Sequence, residues 1–534
     1  MISGVWRRLI TAAVRWLDST TGYVTTGIVF VGMVMLPGLF GPFFADNRYT
    51  HFQFEAQLGS NPLRLIGITI DAIPWYLEKG NFRPVSRLAY GWEYWTLTKI
   101  SYLTGVPVHI LHAISKLVVI AALLWICNGI IRQYARASGT ETNGYWMVLR
   151  WVFLVVLGVF LVLISVSQHP MMLFPGLYVG GLVFALAVTM FVGHITLTGQ
   201  TGRSILIVGA VFGVTTAMMI ELTYVMVPLV IGHLVLLMVV KHGWREIGRS
   251  LRGSPGLRVA TSVIAGFLVV FVPVRVIIAR LCSDGSCYAP SAVAIDSGTV
   301  EALVTRFASP ILMVGEAVTG YPPTSLGNRM FAVHAAVVGV FALALLSQAL
   351  LRGSMRASDP PRYWYLPGLL ALGAWLVGAS LGALSEGLEP GRTTAWRDTA
   401  ILWPAAALTV AVVLGRVMVV RRLSGLLISL IIAVILSSPV RSNDHRLEMT
   451  NEEPVNIAHM RIDTAMARFD ESPSGRQYRC SLLEDLEAQY DKPTRQLDVT
   501  LVYAQIAADR AHGEYFCPGS PQVARAWKAE FGGG

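Results

Sequence analysis

Charge is what this 534-residue chain has least of. Only 14% of its residues are Asp, Glu, Lys or Arg, against about a quarter in ordinary soluble domains, while 54% are hydrophobic. That balance excludes an ordinary soluble enzyme, because there is too little polar surface to face water; it calls for lipid as solvent. Cysteine is scarce as well, with five residues, and no cysteine/histidine spacing suited to zinc occurs. A phosphate-cradling glycine loop, a G-x-S-x-G element and an internal repeat are all missing, which removes P-loop, α/β-hydrolase and repeat-array architectures.

What is present is a series of long charge-free stretches, among them Tyr23–Gly41, Trp151–Val166, Val259–Val274 and Ala400–Gly415. Each approaches the ~20 residues that cross a hydrocarbon core of ~30 Å as a helix, the conformation that pairs every backbone group internally. The pattern predicts an all-α polytopic membrane protein with about eleven transmembrane helices. The expected spans are 22–43, 107–131, 147–167, 171–193, 204–220, 222–240, 258–279, 330–351, 364–385, 398–415 and 423–440. The first follows Arg7, Arg8 and Arg15, exceeds a signal-peptide core in length and has no small-residue cleavage site before Gly41, so a retained signal anchor is expected. With the N-terminus in the cytoplasm, Arg132, Arg136, Arg150, Arg203, Lys241, Arg245 and most other loop cations fall on the inner side, with few acids beside them. This bias sets orientation and accounts for most of the net charge of +10; no nucleic-acid partner is implied. A multi-pass protein of a bacterial plasma (inner) membrane is expected, with a cytoplasmic N-terminus and an extracytoplasmic C-terminus.

The chain divides into a membrane domain, 1–440, and a soluble tail, 441–534, that carries eleven basic against fifteen acidic residues. Stretches such as Ile462–Arg468 and Ser481–Ala488 predict a small helical cap. On the expected outer side lie Cys282, Cys287, Cys480 and Cys517, where disulfides persist. Spacing alone does not choose their pairing. Cys127, inside the second span, reads as a packing residue.

The outer loop 44–106 holds most of the chemistry. It opens on Asp46, Asn47 and Arg48 just past the first span, continues through Asn61–Lys79, where apolar residues are interspersed with Arg64 and Asp71, and then through Phe82-Arg83-Pro84. The Asn61–Lys79 stretch predicts an amphipathic helix in the interface plane. His109, His112 and Lys116 follow at i, i+3 and i+7, on one helix face. Ionisable groups at membrane depth are costly and mark functional sites by default, and Lys with His suits an anionic headgroup. Snorkelling of Lys116 and plain packing of the histidines is the bland alternative. Glu221, between two apolar runs, and His169, at the preceding turn, fall on the same side; so do Arg392 and Arg397, whose planar forks suit phosphate oxygens. For Asp46, Glu221, Arg392 and Arg397 the competing reading is a solvated or structural charge at a span end.

Taken in order, these elements resemble the GT-C superfamily of membrane glycosyltransferases, in particular members related to protein O-mannosyltransferases. The resemblance covers roughly residues 1–440. It rests on Asp46-Asn47 after the first span, Phe82-Arg83-Pro84 later in the loop, Gly105 through His112 at the start of the second span, Glu221 at a later span end, and Arg397 with Pro404 late in the membrane domain. Two departures stand out: Asn47 occupies the position of a second acid, and His112 that of an Asn. The resemblance implies transfer of a sugar from a polyprenyl-phosphate donor in the bilayer to a glycan, lipid or protein acceptor on the outer face. In that scheme Asp46 is the catalytic base, Arg83, His109, His112, Lys116, Arg392 and Arg397 bind the donor phosphate, and Glu221 and His169 orient the substrates. It implies no redox cofactor and no fixed metal, although a divalent cation, Mg or Mn, is compatible with it. Two other classes fit a polytopic chain with buried charge: a lipid or glycan transporter or flippase, and a membrane acyltransferase or polysaccharide polymerase or ligase using His109 or His169.

Overall fold

The computed structural model describes residues 16, 18–43, 47–163, 169, 174–282, 287, 295, 297–319, 329–355, 360–384, 399–492 and 494–531, which form helices and turns without a strand. The expected position of Asp46 and of Arg392 and Arg397 lies outside the described residues, so the structure says nothing of these three.

Among the described residues nine helices are long and apolar enough to cross a membrane, and two shorter apolar helices, Thr20–Val34 and Arg203–Ala217, stand where the first and fifth spans are expected. The chain is a multi-pass membrane protein. In order, α1 is Thr20–Val34, α2 Leu36–Leu39, α3 Asn47–Leu58, α4 Arg64–Asp71, α5 Ile73–Glu78, α6 Pro84–Thr104, α7 Val108–Ala137, α8 Gly144–Leu163, α9 Gly180–Thr198, α10 Arg203–Ala217, α11 Met226–His242, α12 Ile247–Leu251 and α13 Pro255–Leu281. Then come α14 Gly298–Thr319, α15 Arg329–Met355, α16 Leu366–Ala383, α17 Thr399–Val420, α18 Arg422–Asn451, α19 Pro454–Ala467, α20 Pro473–Ala488, α21 Arg495–His512 and α22 Pro521–Phe531.

Every residue of α8 is buried, as its apolar character on all faces requires of a central helix. Around it pack α1, α7, α14, α15, α17 and α18. Peripheral helices instead expose large apolar side chains, including Val269 and Val272 of α13, Val333 and Val340 of α15, and Leu427 and Val434 of α18. Surface of that kind is stable only against lipid tails. Helix α14 lies in the segment 280–329, which the sequence marks only as a Ser-, Gly- and Pro-rich outer stretch. It packs on α16, with Phe307 stacked 4.7 Å from Trp375, and it buries Arg306.

The tail boundary expected at 440/441 falls inside α18, which continues to Asn451 without a break. Helices α19 to α22 then enclose a second core containing Ile462, Met466, Leu482, Leu486, Leu501, Val502 and Phe516. Phe52 of α3 inserts into that core, so the tail is seated on the first loop rather than tethered beside it. Disulfides join Cys282 to Cys287 and Cys480 to Cys517, and Cys127 is a buried thiol.

Candidate functional site

Helix α7 begins after Pro107 with no side-chain cap of its own, which leaves its first backbone N–H groups to be satisfied from elsewhere. Asp463 of α19 does this across the domain boundary: its carboxylate accepts from the backbone N–H of Val108 (3.3 Å) and of His109 (3.0 Å). A carboxylate here is also favoured by the positive end of the helix dipole. Its Oδ2 lies 2.5 Å from His109 Nδ1, and its Oδ1 3.5 Å from His51 Nε2. Burial opposes ionisation of Asp463, yet the hydrogen bond of His109 and the charges of His109 and His51 outweigh it and hold the carboxyl well below the usual carboxylate range.

One turn along α7, His112 Nε2 is 3.6 Å from Glu93 Oε1 and 3.5 Å from Tyr94 Oη, at the outer limit of hydrogen bonding. The Phe43 ring packs on His112, His51 and Tyr94. A further turn along, Lys116 Nζ donates to the carbonyls of Gly38 (3.1 Å) and Leu39 (3.0 Å) at the end of α2. Lys116 is thus buried and does not snorkel; two of its three donors are used on those carbonyls. His109, His112 and Lys116 do share one inward face, as their spacing requires. His169 is buried, with Nε2 2.9 Å from Leu161 O.

Helix α6 supplies the floor. Tyr90 Oη donates to Asn47 Oδ1 (2.9 Å) or Thr50 Oγ1 (3.2 Å), and Glu93 abuts Gly176, where a Cβ would collide with its carboxylate. At the other end of α6, Arg83 is the residue before Pro84, the first residue of the helix. That start is pinned to the turn preceding Glu221: Val85 N–H donates to Met218 O (3.0 Å), and Ser86 Oγ accepts from Ile220 N–H (2.9 Å). Arg83 and Glu221 therefore flank one junction, a second locus along the same helix, and Glu221 Oε1 is buried there without a hydrogen-bond partner among the described residues.

The tail closes the cluster. Arg48 Nη2 donates to Asn456 Oδ1 (2.7 Å), and His459 of α19 is buried beside Arg48 and His51, its imidazole pushed down to about 3 by burial first and by those neighbouring charges second. Both nitrogens of His51 and His459, and Glu93 Oε1, make no hydrogen bond to described residues. Such a concentration of unsatisfied buried polar atoms is uncommon away from functional sites. Among the described residues no three His, Cys, Asp or Glu side chains are grouped to hold a metal ion.

Sequence reasoning did not single out His51, Glu93, His459 or Asp463. Glu93 carried one local signal, as the lone acid of α6 among aromatic residues. Asp463 carried none, because its partner is more than 350 residues away. No protein-family model, no curated protein and no solved structure matches this chain.

Proposed function

We propose that the protein is a GT-C-like membrane glycosyltransferase that moves a sugar from a polyprenyl-phosphate donor to an acceptor at the end of the bundle carrying the tail, the outer face of a bacterial plasma membrane. The observation that carries this reading is the convergence of His51, His109, His112, Glu93 and Asp463 with Lys116 at that end, within the first-loop elements where a lipid-anchored phosphate arrives. At the opposite end a cavity near 240 Å³ is lined by Asp18, Arg132, Arg136 and Arg150 and a second, near 350 Å³, by Arg132 and Arg136, and the buried α8 lies between the two ends. That arrangement suits chemistry at one face better than passage across the membrane.

In this reaction the acceptor oxygen forms its bond to the anomeric carbon as the bond from that carbon to the phosphate oxygen breaks. The acceptor hydroxyl proton passes to a base, and polyprenyl phosphate departs with the electron pair. Asp46 is assigned as the base. His109 holds a proton on Nδ1 towards Asp463, which turns Nε2 to the substrate side, where a protonated imidazole donates to the departing phosphate. Arg83, His112, Arg392 and Arg397 add donors and positive charge, Lys116 contributes its remaining N–H, and Glu221 and His169 orient the sugar or acceptor. Positioned proton transfer is worth about 10²- to 10⁴-fold.

The test is transfer of radiolabel from a polyprenyl-phosphate sugar to glycan, lipid or protein by the purified full chain. Label is expected in one acceptor fraction, with loss in Asp46→Asn and a fall of about 10²-fold or more in His109→Gln. Intact donor crossing the bilayer would support the transporter instead, and acyl label in the acceptor the acyltransferase.

A further inference from the structure

The tail and the first loop enclose a groove separate from the histidine cluster. It has a volume near 740 Å³ and is lined on one side by Ser60, Asn61, Arg64, Lys99 and Tyr102 and on the other by Arg510 of α21. Three cations thus face it, against one buried acid. That acid, Glu55, is fully buried and takes Lys99 Nζ at 2.6 Å, while Arg64 and Arg510 are both exposed at the groove. Arg510 lies against Gly59 and helps to offset the burial of Glu55.

The rim of this groove is apolar and exposed. Leu103 is 86% exposed and Leu63 67%, and α4 turns Ile66 and Ile70 outward on the same edge. Trp95 and Trp92 fix the loop by donating their indole N–H to Gly59 O (2.9 Å) and Pro62 O (3.0 Å). The outward apolar face of α7 begins with Ile110 and Ile114. Cations beside tryptophans and exposed apolar side chains match an anionic lipid: phosphate in the groove, acyl chains along the rim.

We propose that this groove is a binding site for an anionic phospholipid, whose headgroup bridges Arg64 and Lys99 of the membrane domain to Arg510 of the tail. The site is independent of sugar transfer. A headgroup held between the two domains strengthens the seating of the tail on α3 whenever anionic lipid is present, whereas a zwitterionic lipid brings a quaternary ammonium that the same three cations repel.

Native mass spectrometry of the delipidated full chain, with phosphatidylglycerol or phosphatidylcholine added singly, tests this. Phosphatidylglycerol is expected to be retained about tenfold or more over phosphatidylcholine. The preference should collapse in Arg64→Gln/Arg510→Gln, which spares the Glu55–Lys99 pair, and persist in Arg258→Gln/Arg421→Gln at the other end of the bundle. Circular dichroism and melting of each variant establish that it is folded. Equal retention of the two lipids, or an unchanged preference in the folded Arg64→Gln/Arg510→Gln variant, overturns the proposal. Displacement of the lipid by inorganic phosphate at matched concentration would do the same, since it would make the groove a site for free anions.

Discussion

Asp463 illustrates how one side chain can serve two domains: it caps α7, accepts from His109 and faces His51 from the tail. Lys99 and Glu55 show the energetic side of the same principle. Glu55 is completely buried, and burial raises its carboxyl pKa against the opposing hydrogen bond and charge of Lys99. Removing one partner of a buried pair leaves an uncompensated charge, at a cost of about 3–5 kcal/mol. Lys99 is partly solvated, so Lys99→Met should fall at or below the lower end of that range, and Lys99→Met/Glu55→Gln should recover most of the loss. Thermal melting of the two variants measures this; a double variant no better than the single one would mean that the contacts of Lys99 Nζ with the Trp95 and Tyr102 rings, not its pair with Glu55, set the effect.

Helices α10 and α13 show what small residues do at the level of elements. Gly213 faces the backbone of Val263 and Phe267, and Gly266 faces that of Ala210, so close that a Cβ at either position meets main-chain atoms. Backbone cannot rotate away as a side chain can, and lipid-exposed helices associate through this kind of close approach. Gly213→Leu should therefore cost about 3 kcal/mol or more, seen as a lower melting temperature, whereas Leu at Gly373, which has open space around it, should be tolerated. The remaining spans were visible in advance because each is a sustained apolar run. Helix α14, which is not among the apolar spans, was not: Glu301, Arg306 and Pro310 interrupt its hydropathy, and its packing on α16 is a contact between distant segments. The continuity of α18 past Arg441 was hidden for the opposite reason, since a helix leaving the membrane changes composition without changing conformation.

For the whole molecule, the seating of the tail combines the apolar insertion of Phe52 with polar contacts that depend on pH. Burial pushes the pKa of the His459 imidazole down to about 3 from the usual 6.5, so its neutral form is the one the fold accommodates. The sign follows: stability from this group is complete above about pH 6.5 and is lost as pH falls towards 3. Asp463, held below the usual carboxylate range, keeps its full contribution above that range and loses it as pH falls through and below it. Acidification from pH 7 to 5 should thus loosen the tail through His459 first. Proteolysis of the α18–α19 connection, followed against pH, should show cleavage rising over that interval and rising less in His459→Phe; identical profiles would remove His459 from the contact.

Hydropathy, loop charge and turn residues are local properties, and they were enough to determine a helical membrane protein, the positions of its nine long apolar helices among the described residues, the helical tail and the shared face of His109, His112 and Lys116. The single amphipathic helix expected over Asn61–Lys79 is instead two short ones, Arg64–Asp71 and Ile73–Glu78, separated at Ala72. Contacts between segments far apart in the chain leave no such local trace. Only the tertiary structure decided that Lys116 is engaged by the end of α2, that the tail sits on α3, that Arg83 and Glu221 meet at one junction, and that Asp463 completes the histidine cluster. Each of these depends on which backbone groups lack partners at the ends of helices, and the partners that satisfy them are chosen by packing rather than by sequence proximity.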